Sequence, residues 1–200
     1  MPVLDALHAA PDFGIEPSAH LLAALAREYP RGSVFLAVVD PGVGGARDAI
    51  VIEADGRTVV GPDNGLLSVL WQRVRRRKCF RIAWRPERLT GSFHGRDLFA
   101  PVAAALAVKR LPRGWLAAKE SPDVLLDPAD LAKVIYVDHY GNCVTGMRAT
   151  SVARAARIRA GGRVLRYARI LDAAEGPFWY ENSMGLVEIS MERSTEDSAP

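Results

Sequence analysis

An α/β domain followed by a small β domain is the architecture that the sequence predicts, and three observations support it. The uncharged apolar run Val34–Val39 ends at Asp40, as a strand buried on both faces of an α/β sheet does. Strand patterns and helical spacings then alternate as far as Val108. Beyond a proline-containing stretch, short strands separated by glycine turns follow. The predicted fold class is therefore α/β, with a Rossmann-like N-terminal domain on a mixed sheet and a small antiparallel β C-terminal domain.

These changes of pattern also predict the domain boundaries. The α/β domain covers residues 1–121, a linker covers 122–131, the β-rich domain covers 132–193, and a polar tail covers 194–200. The linker contains Pro122 and Pro128. A chain of 200 residues suits one large domain, or one medium and one small domain.

The composition is that of a soluble globular protein, with 49% hydrophobic and 24% charged residues. The net charge of +3 gives no reason to expect nucleic-acid binding. Arg73 and Arg75–Lys78 follow a helical pattern, so we interpret them as the solvated end of a helix rather than a phosphate-binding patch. No apolar run approaches the roughly 20 residues of a membrane span, and the N-terminus has no signal-peptide pattern. We expect a cytoplasmic protein that binds no membrane.

The two cysteines, Cys79 and Cys143, are far apart, and neither belongs to a CxxC pair. This spacing favours two buried thiols over a disulfide framework or a zinc site. The sequence also lacks an HExxH motif and a cluster of carboxylates. It therefore predicts no metal site.

The first predicted helix covers His20–Glu28, and Ser18 is its predicted N-cap. His20 is interpreted as an ordinary, partly buried histidine rather than a ligand. Farther along, Ala49–Ala54 leads through the turn Asp55-Gly56 into Thr58–Val60, which predicts a β-hairpin within a mixed sheet.

The sequence GPDNG follows this hairpin, and the spacing from Leu66 to Val74 is helical. Asp63 or Asn64 can cap this helix, whose free amides favour anions, although turn chemistry alone also explains these residues. The next patterns predict a strand over Cys79–Trp84 and a helix over Phe99–Val108.

The C-terminal region contains four predicted strands and two loops rich in polar residues. The strands are Lys133–Val137, Arg163–Tyr167, Phe178–Tyr180 and Leu186–Ile189. The loops are DHYGNCVT, from Asp138 to Thr145, and ENSMG, from Glu181 to Gly185.

Asp40, Arg47 and His94 are the residues outside the predicted core whose combination indicates catalysis. Asp40 follows a strand at the edge where open α/β sheets bind ligands, although capping of a tight turn also explains it. His94 lies in a glycine-flanked loop before a helix, where an imidazole can titrate near neutral pH. An arginine stays protonated and can hold an oxygen nucleophile, while a histidine can accept a proton from water. The three side chains suit the activation of a water molecule.

Five segments, in chain order, resemble the S-adenosyl-L-methionine (SAM) hydrolases, or SAM hydroxide adenosyltransferases, which are relatives of the fluorinase and chlorinase. The segments are VVDPGVGGAR, GPDNGLLS, SFHGRDLFAPVAA, VDHYGNCVT and ENSMGLVEI, and the similarity runs from Val3 to Ile189. The resemblance implies an α/β domain joined to a small β domain, in a homotrimer whose active sites lie between neighbouring subunits. It also implies SAM as the small-molecule substrate and no cofactor.

The resemblance implies that Asp40, Arg47 and His94 form a catalytic triad that positions and activates water. The water attacks the 5′ carbon of the ribose and expels methionine, which leaves adenosine. The halogenating relatives have a tyrosine in place of Asp40 and lack this triad. The resemblance therefore favours hydrolysis over halide transfer.

The resemblance also implies a set of substrate-binding residues. Asp138 binds the ammonium group of the substrate, and Ser183 binds the methionine carboxylate. Tyr140 and Asn142 lie near the adenine. Ser92, Phe93 and Gly95 surround the reacting carbon. Met191 and Arg193 make backbone contacts with the adenine. The alternatives are that Tyr140 and Phe93 are core aromatics and that Asn142 is a turn residue.

Two departures from the family pattern affect these expectations. The family begins with a strand that ends in a Thr-Asp-Phe-Gly motif, whose aspartate binds the ribose, and this sequence starts after that strand. Asp12-Phe13-Gly14 has similar letters, but it lies in the loop before the predicted helix and does not end a strand. Gly146 stands where the family commonly has asparagine. The alternative hypothesis is therefore a weakened homologue that binds adenosine or SAM without turnover.

Overall fold

A computed structural model describes residues 2–169 and 176–191 and divides into two compact units, with the boundary between Ala129 and Asp130. Among these residues, no helix is both long enough and apolar enough to cross a membrane.

The first unit is built on a five-stranded sheet with the order β1-β3-β2-β4-β5. The strands are β1 (Val34–Leu36), β2 (Ala49–Ala54), β3 (Arg57–Pro62), β4 (Arg77–Ile82) and β5 (Leu116–Lys119). Strands β1 and β3 are parallel, and the other neighbours are antiparallel. The predicted mixed sheet is confirmed.

Three helices cover this sheet: α1 (Ile15–Leu25), α2 (Ser68–Arg73) and α3 (Ala100–Ala107). A 3₁₀ turn, Ala26–Glu28, extends α1, and a π-helical turn, Gly95–Phe99, precedes α3. Strand β2 alternates between two cores: Ile50 and Ile52 pack with residues of α1 and α2, whereas Ala49 and Val51 pack with residues of α3. The helices therefore lie on both faces of the sheet, as in the predicted α/β class.

The second unit is a six-stranded sheet with the order β6-β7-β11-β10-β9-β8. Its strands are β6 (Leu131–Val137), β7 (Cys143–Arg148), β8 (Ile158–Ala160), β9 (Arg163–Tyr167), β10 (Pro177–Glu181) and β11 (Leu186–Met191). All pairs are antiparallel except β9–β10, which is parallel. The predicted small β domain is confirmed, but the sheet is not purely antiparallel.

The prediction that Val34–Val39 is buried on both faces is wrong. Strand β1 is an edge strand, and the exposed fractions of Leu36 and Val38 are 48% and 43%. Phe35, Ala37 and Val39 pack against the core beside α1 and α2. On the other face, Val34 packs against the core beside α3, and only Leu36 and Val38 are exposed.

The predicted N-cap at Ser18 is also wrong, because α1 begins at Ile15 and Gly14 is its N-cap residue. Pro17 lies in the first turn, where a missing N–H removes no helical hydrogen bond. Ser18 therefore lies inside the helix and is buried.

The basic run is not a helix end as a whole. Helix α2 ends at Arg73, whose guanidinium donates to the carbonyl oxygens of Pro128 and Ala129. Arg77 and Lys78 belong to β4, because their backbone pairs with β2. Tertiary pairing therefore interrupts the helical pattern of this segment.

Candidate functional site

Asp40 and Arg47 form a two-point ion pair at the end of the extended segment that follows β1. Arg47 Nε donates to Asp40 Oδ1 at 2.9 Å, and Arg47 Nη2 donates to Asp40 Oδ2. The side chains of Asp40 and Arg47 are only 4% and 12% exposed. Arg47 Nη1 also donates to the carbonyl oxygen of Asp48, and the guanidinium carbon lies 5.3 Å from the centroid of the Phe99 ring. These contacts hold the guanidinium in one orientation.

His94 lies on the other side of the same guanidinium, with its Nδ1 atom 3.2 Å from Arg47 Nη2. A guanidinium only donates hydrogen bonds, so Nδ1 is the acceptor and a neutral ring has its proton on Nε2. Burial, together with the charge of Arg47, lowers the pKa of His94 below its ordinary value of 6.5. The imidazole is therefore neutral at pH 7, with Nδ1 as its basic nitrogen.

Two glycine-containing loops approach each other closely and bring Arg47 and His94 together. A Cβ atom at Gly44 would lie 2.5 Å from the carbonyl oxygen of Gly91, and Gly44 has a φ of +81°. Only glycine satisfies both conditions without displacement. This contact docks the loop between Asp40 and Arg47 against the loop that precedes His94.

The loop that carries His94 is closed by a small polar network. Asp97 Oδ2 accepts a hydrogen bond from the backbone N–H of Thr90 at 3.1 Å, and Arg96 pairs with Asp97. The hydrogen bond from Arg96 is the largest cause that lowers the pKa of Asp97. The Arg96 guanidinium also lies 4.8 Å from the centroid of the Phe93 ring. The network holds residues 90–97 in a compact turn that leads into the π-helical turn.

The remaining predicted residues of this loop lie on either side of His94. Ser92 and Phe93 are exposed, and 54% of Phe93 is accessible to solvent, so this ring is not a core aromatic. Gly95 begins the π-helical turn, a feature that is frequent at functional sites. Ser92, Phe93 and Gly95 therefore flank His94 in the sequence.

The predicted cap at Asn64 is wrong, because the N-cap residue of α2 is Leu67 and makes no side-chain hydrogen bond, but the Asn64 side chain has two other contacts. Asn64 Nδ2 donates to the carbonyl oxygen of Val39 at 2.9 Å, while Asn64 Oδ1 accepts from the backbone N–H of Leu66. Because Val39 directly precedes Asp40, Asn64 fixes the backbone that presents the carboxylate. The GPDNG segment is the sequence signal for this role. Turn chemistry alone also explains that segment, so the contact with Val39 could not be predicted from it.

In the second unit, the loop 138–142 is organised by Asp138. Its Oδ1 atom accepts from the backbone N–H groups of Tyr140 and Asn142, and its Oδ2 atom accepts from Asn142 Nδ2, each at 2.9 Å. Burial opposes ionisation, but the hydrogen bonds from Asn142 outweigh it and lower the pKa of Asp138. The Tyr140 side chain is 62% exposed, so it is not a core aromatic. Asn142 closes this loop through its two hydrogen bonds to Asp138.

The loop 182–185 presents Ser183, which is exposed, between Asn182 and Met184. Asn182 Oδ1 accepts from the backbone N–H groups of Met184 and Leu186, both at 3.0 Å. Met191 is the last residue of β11, and Arg193 lies outside the described residues.

A group of three carboxylates that the sequence analysis missed lies in the first unit. Ligand atoms of Asp48, Asp63 and Asp123 are within 4.8 Å of one another. Lys119 Nζ lies 3.4, 3.6 and 2.6 Å from these three side chains, respectively, and supplies a positive charge among them. Asp63 also accepts the backbone N–H of Asp123. The group ties the segment after β5 to the sheet, and no local pattern indicates it because its members are distant in sequence.

The fold and this geometry define a class of protein: an α/β unit and a β unit, with a guanidinium held between a carboxylate and an imidazole. The chain belongs to the SAM hydroxide adenosyltransferase family, because residues 1–113 match its N-terminal domain and residues 132–199 match its C-terminal domain.

Individual relatives agree with this membership. The (R)-S-adenosyl-L-methionine hydrolase of Thermus thermophilus is 36% identical over 219 residues, which cover 98% of this chain and 83% of the relative. The protein of the same name from Salinispora arenicola is 35% identical over 209 residues, which cover 94% of this chain and 78% of the relative. An uncharacterized conserved protein from Thermotoga maritima has a similar crystal structure, with a TM-score of 0.81 and 29% identity over 96% of this chain and 81% of its own.

Proposed function

We propose that this protein hydrolyses SAM to adenosine and L-methionine. The relatives that cover most of this chain are named for this substrate and this class of reaction. The observation that carries the mechanism is the contact of one guanidinium, Arg47, with both the Asp40 carboxylate and the His94 imidazole. This arrangement provides a cation to hold an oxygen nucleophile and a base to accept its proton.

The nucleophilic water binds beside Arg47 and His94. It accepts a hydrogen bond from the guanidinium and replaces Arg47 Nη2 as the donor to Nδ1 of the neutral imidazole, which takes the proton as the C–O bond forms. Asp40 balances the charge of Arg47 and fixes the orientation of its fork. In this mechanism Asp40, Arg47 and His94 are the catalytic residues.

The reaction breaks one bond and forms another at the 5′ carbon of the ribose. The water oxygen attacks this carbon while the C–S bond breaks. The electron pair of the C–S bond stays on sulfur. The sulfonium thus leaves as a neutral thioether, so the site need not stabilise a departing anion. The principal requirement is an aligned, partly deprotonated water in a pocket with few competing waters.

We extend the other roles from the family resemblance to this chain. Asp138 binds the substrate ammonium and Ser183 its carboxylate, while Tyr140 and Asn142 lie near the adenine. Ser92, Phe93 and Gly95 surround the reacting carbon. Met191 and Arg193 offer backbone contacts to the adenine.

The reaction is tested by incubating the protein with SAM in H₂¹⁸O and analysing the products by liquid chromatography and mass spectrometry. We expect adenosine that carries ¹⁸O in its 5′-hydroxyl group, together with unlabelled methionine. Both diastereomers at the sulfonium are assayed, since the relatives' name specifies the R form. Absence of adenosine from both diastereomers, despite tight binding, would favour the alternative of a binding protein without turnover.

The roles of the triad are tested with His94→Ala and Asp40→Ala. Loss of a general base or of a charge partner should lower kcat by about 100-fold or more. Adenosine release that is unaffected by both substitutions would exclude this mechanism while leaving the hydrolysis itself intact.

We also propose a homotrimer in which each site combines the first unit of one subunit with the second unit of its neighbour. The family resemblance supports this arrangement. Analytical ultracentrifugation should give a trimer mass, and a monomer mass at concentrations that support full activity would contradict it.

A further inference from the structure

Strand β11 presents two polar side chains, Glu188 and Ser190, whose spacing of two residues directs them to the same face of the sheet. Glu188 contacts Asn182, and Ser190 contacts Asn142. One strand therefore holds the two loops to which the proposed function assigns the methionine end of the substrate. Neither Glu188 nor Ser190 has a role in the mechanism described above.

Glu188 is an unusual residue for its position, because a carboxylate that is only 7% exposed lies within the β sheet. Its Oε2 atom accepts from Asn182 Nδ2 at 2.9 Å, and its Oε1 atom accepts from the hydroxyl group of Tyr180. Both donors are neutral groups. A buried carboxylate with neutral partners is costly, which favours a specific role over simple packing.

Asn182 transmits this contact to the loop 182–185. Its Oδ1 atom accepts the two backbone N–H groups of Met184 and Leu186, and its own N–H donates to the Leu186 carbonyl at 2.9 Å. Ser183 lies between these fixed points, and Gly185 completes the turn with a φ of +70°. The orientation of the Asn182 amide, which Glu188 sets by accepting from its nitrogen, therefore decides the position of Ser183.

The chemistry of an α-amino acid explains why such a restraint is needed. Its ammonium and carboxylate groups are attached to the same carbon, so their two binding groups must be held at a short, fixed separation. Ser190 Oγ donates to Asn142 Oδ1 at 2.5 Å, and Asn142 in turn donates to Asp138. The Asp138 charge also contributes to the raised pKa of Tyr180, behind the burial and the Glu188 contact. Each loop is thus tied to a polar side chain on the same face of β11, loop 182–185 to Glu188 and loop 138–142 to Ser190.

We infer that Glu188 is a positioning residue that, through Asn182, fixes the loop of Ser183 for the carboxylate of the amino-acid end of SAM. The inference rests on the proposed function and adds to it the contacts that position Ser183 for the substrate carboxylate. Adenosine lacks the amino-acid end, so Glu188 should affect the binding of SAM and leave the binding of adenosine unchanged.

The test compares Glu188→Ala and Glu188→Gln with the wild type in three measurements: steady-state hydrolysis of SAM, calorimetric binding of adenosine, and hydrogen exchange of the Met184 and Leu186 amides. In Glu188→Ala we expect the KM for SAM to rise about tenfold with little change in kcat, as for one lost hydrogen bond to a charged group. The affinity for adenosine should stay the same, and both amides should exchange faster. Glu188→Gln keeps an acceptor for Asn182 and should restore most of the KM and of the protection.

Ser190→Ala is the matched control, since it removes one polar contact from the same face of the same strand but reaches the other loop. It should leave the exchange of the Met184 and Leu186 amides unchanged. Should Glu188→Ala fail to fold, Asn182→Ala breaks the same link from its other end and should raise the KM likewise. Unchanged exchange of both amides, or an equal loss of adenosine binding, would overturn the inference. A wild-type protein that releases no adenosine overturns the proposed function instead, while the exchange measurement still tests the role of Glu188 in the loop.

Discussion

At the scale of single residues, Arg47 is the centre of the candidate site. Its guanidinium contacts a carboxylate seven residues earlier and an imidazole 47 residues later in the chain. The sequence predicts these three residues as candidates for catalysis, and the structure brings them together. Their roles in catalysis stay a prediction.

The pH dependence of the reaction tests the role of His94. Its pKa is lowered by burial and by Arg47, so the neutral, basic form persists below the ordinary value of 6.5. We expect kcat/KM to fall only as the pH drops through a midpoint below 6.5, because kcat/KM reports the free enzyme. The pH profile of hydrolysis provides the measurement, and His94→Gln should lose this acidic limb together with most of the activity. A midpoint above 6.5 would contradict the proposed environment of the imidazole.

At the scale of elements, the site depends on loops that touch rather than on strands that align. Asp40 follows an edge strand, and the glycine contact between residues 44 and 91 brings the His94 loop to it. The glycines were visible in the sequence, but a glycine pattern does not say which other loop approaches. Only the folded backbone decides that.

Gly44→Ala should separate the two loops, because the added Cβ meets the Gly91 carbonyl and the residue must keep a φ of +81°. We expect a loss of about 1 kcal/mol in the free energy of unfolding and at least about a tenfold loss in kcat/KM. Urea denaturation and SAM hydrolysis provide the measurements. Gly42→Ala is the matched control, since a Cβ there meets no atom within 4 Å and should change the free energy of unfolding by less than about 0.5 kcal/mol.

The carboxylate group around Lys119 fixes the segment after β5, and its contribution should depend on pH. Burial raises the pKa of Asp63, and Lys119→Met leaves three carboxylates close together without the positive charge. Because the pKa of Asp63 is raised, this carboxyl takes up a proton sooner than an ordinary aspartate as the pH falls, which relieves the repulsion within the group. We expect a loss of about 1–3 kcal/mol in the free energy of unfolding at pH 7 and a smaller loss at pH 4.

Urea denaturation of Lys119→Met at the two pH values measures this difference, and the exposed pair of Lys78 and Glu53 supplies the control. Its atoms are 3.4 Å apart, but the two side chains are 68% and 46% exposed. Lys78→Met should therefore cost less than about 0.5 kcal/mol at either pH. Equal losses for both lysine variants would show that the Lys119 group contributes no more than a surface pair.

At the scale of the whole molecule, the proposed triad lies in the first unit, and the proposed amino-acid loops lie in the second. A site shared between subunits can therefore be tested by mixing two inactive variants, His94→Ala and Asp138→Ala. Each has one intact unit. Co-refolding of an equal mixture should restore about a quarter of the wild-type activity, because a quarter of randomly formed interfaces pair the two intact halves.

The SAM hydrolysis rate of the mixture is compared with that of each variant refolded alone. Recovery would require that the two units of one site come from different subunits. No recovery from a mixture that forms trimers would contradict the shared site.

Local patterns in the sequence determined the elements whose signals are short-range. The hairpin at Asp55-Gly56 is an example, since both residues adopt the positive φ that a tight turn demands. The change from α/β to β patterns, and the family segments, likewise needed only neighbouring residues. For this reason the fold class and the family could be predicted.

The tertiary structure decided what depends on partners distant in the chain. It leaves Leu36 and Val38 exposed within the apolar run Val34–Val39, and it buries Ser18 within a helix. It forms β7, whose first three residues belong to the predicted loop Asp138–Thr145, because two neighbouring strands pair with it. It also assembles the Glu188 contacts. Hydrogen bonds and burial between distant residues leave no period in the sequence, so only the folded chain determines them.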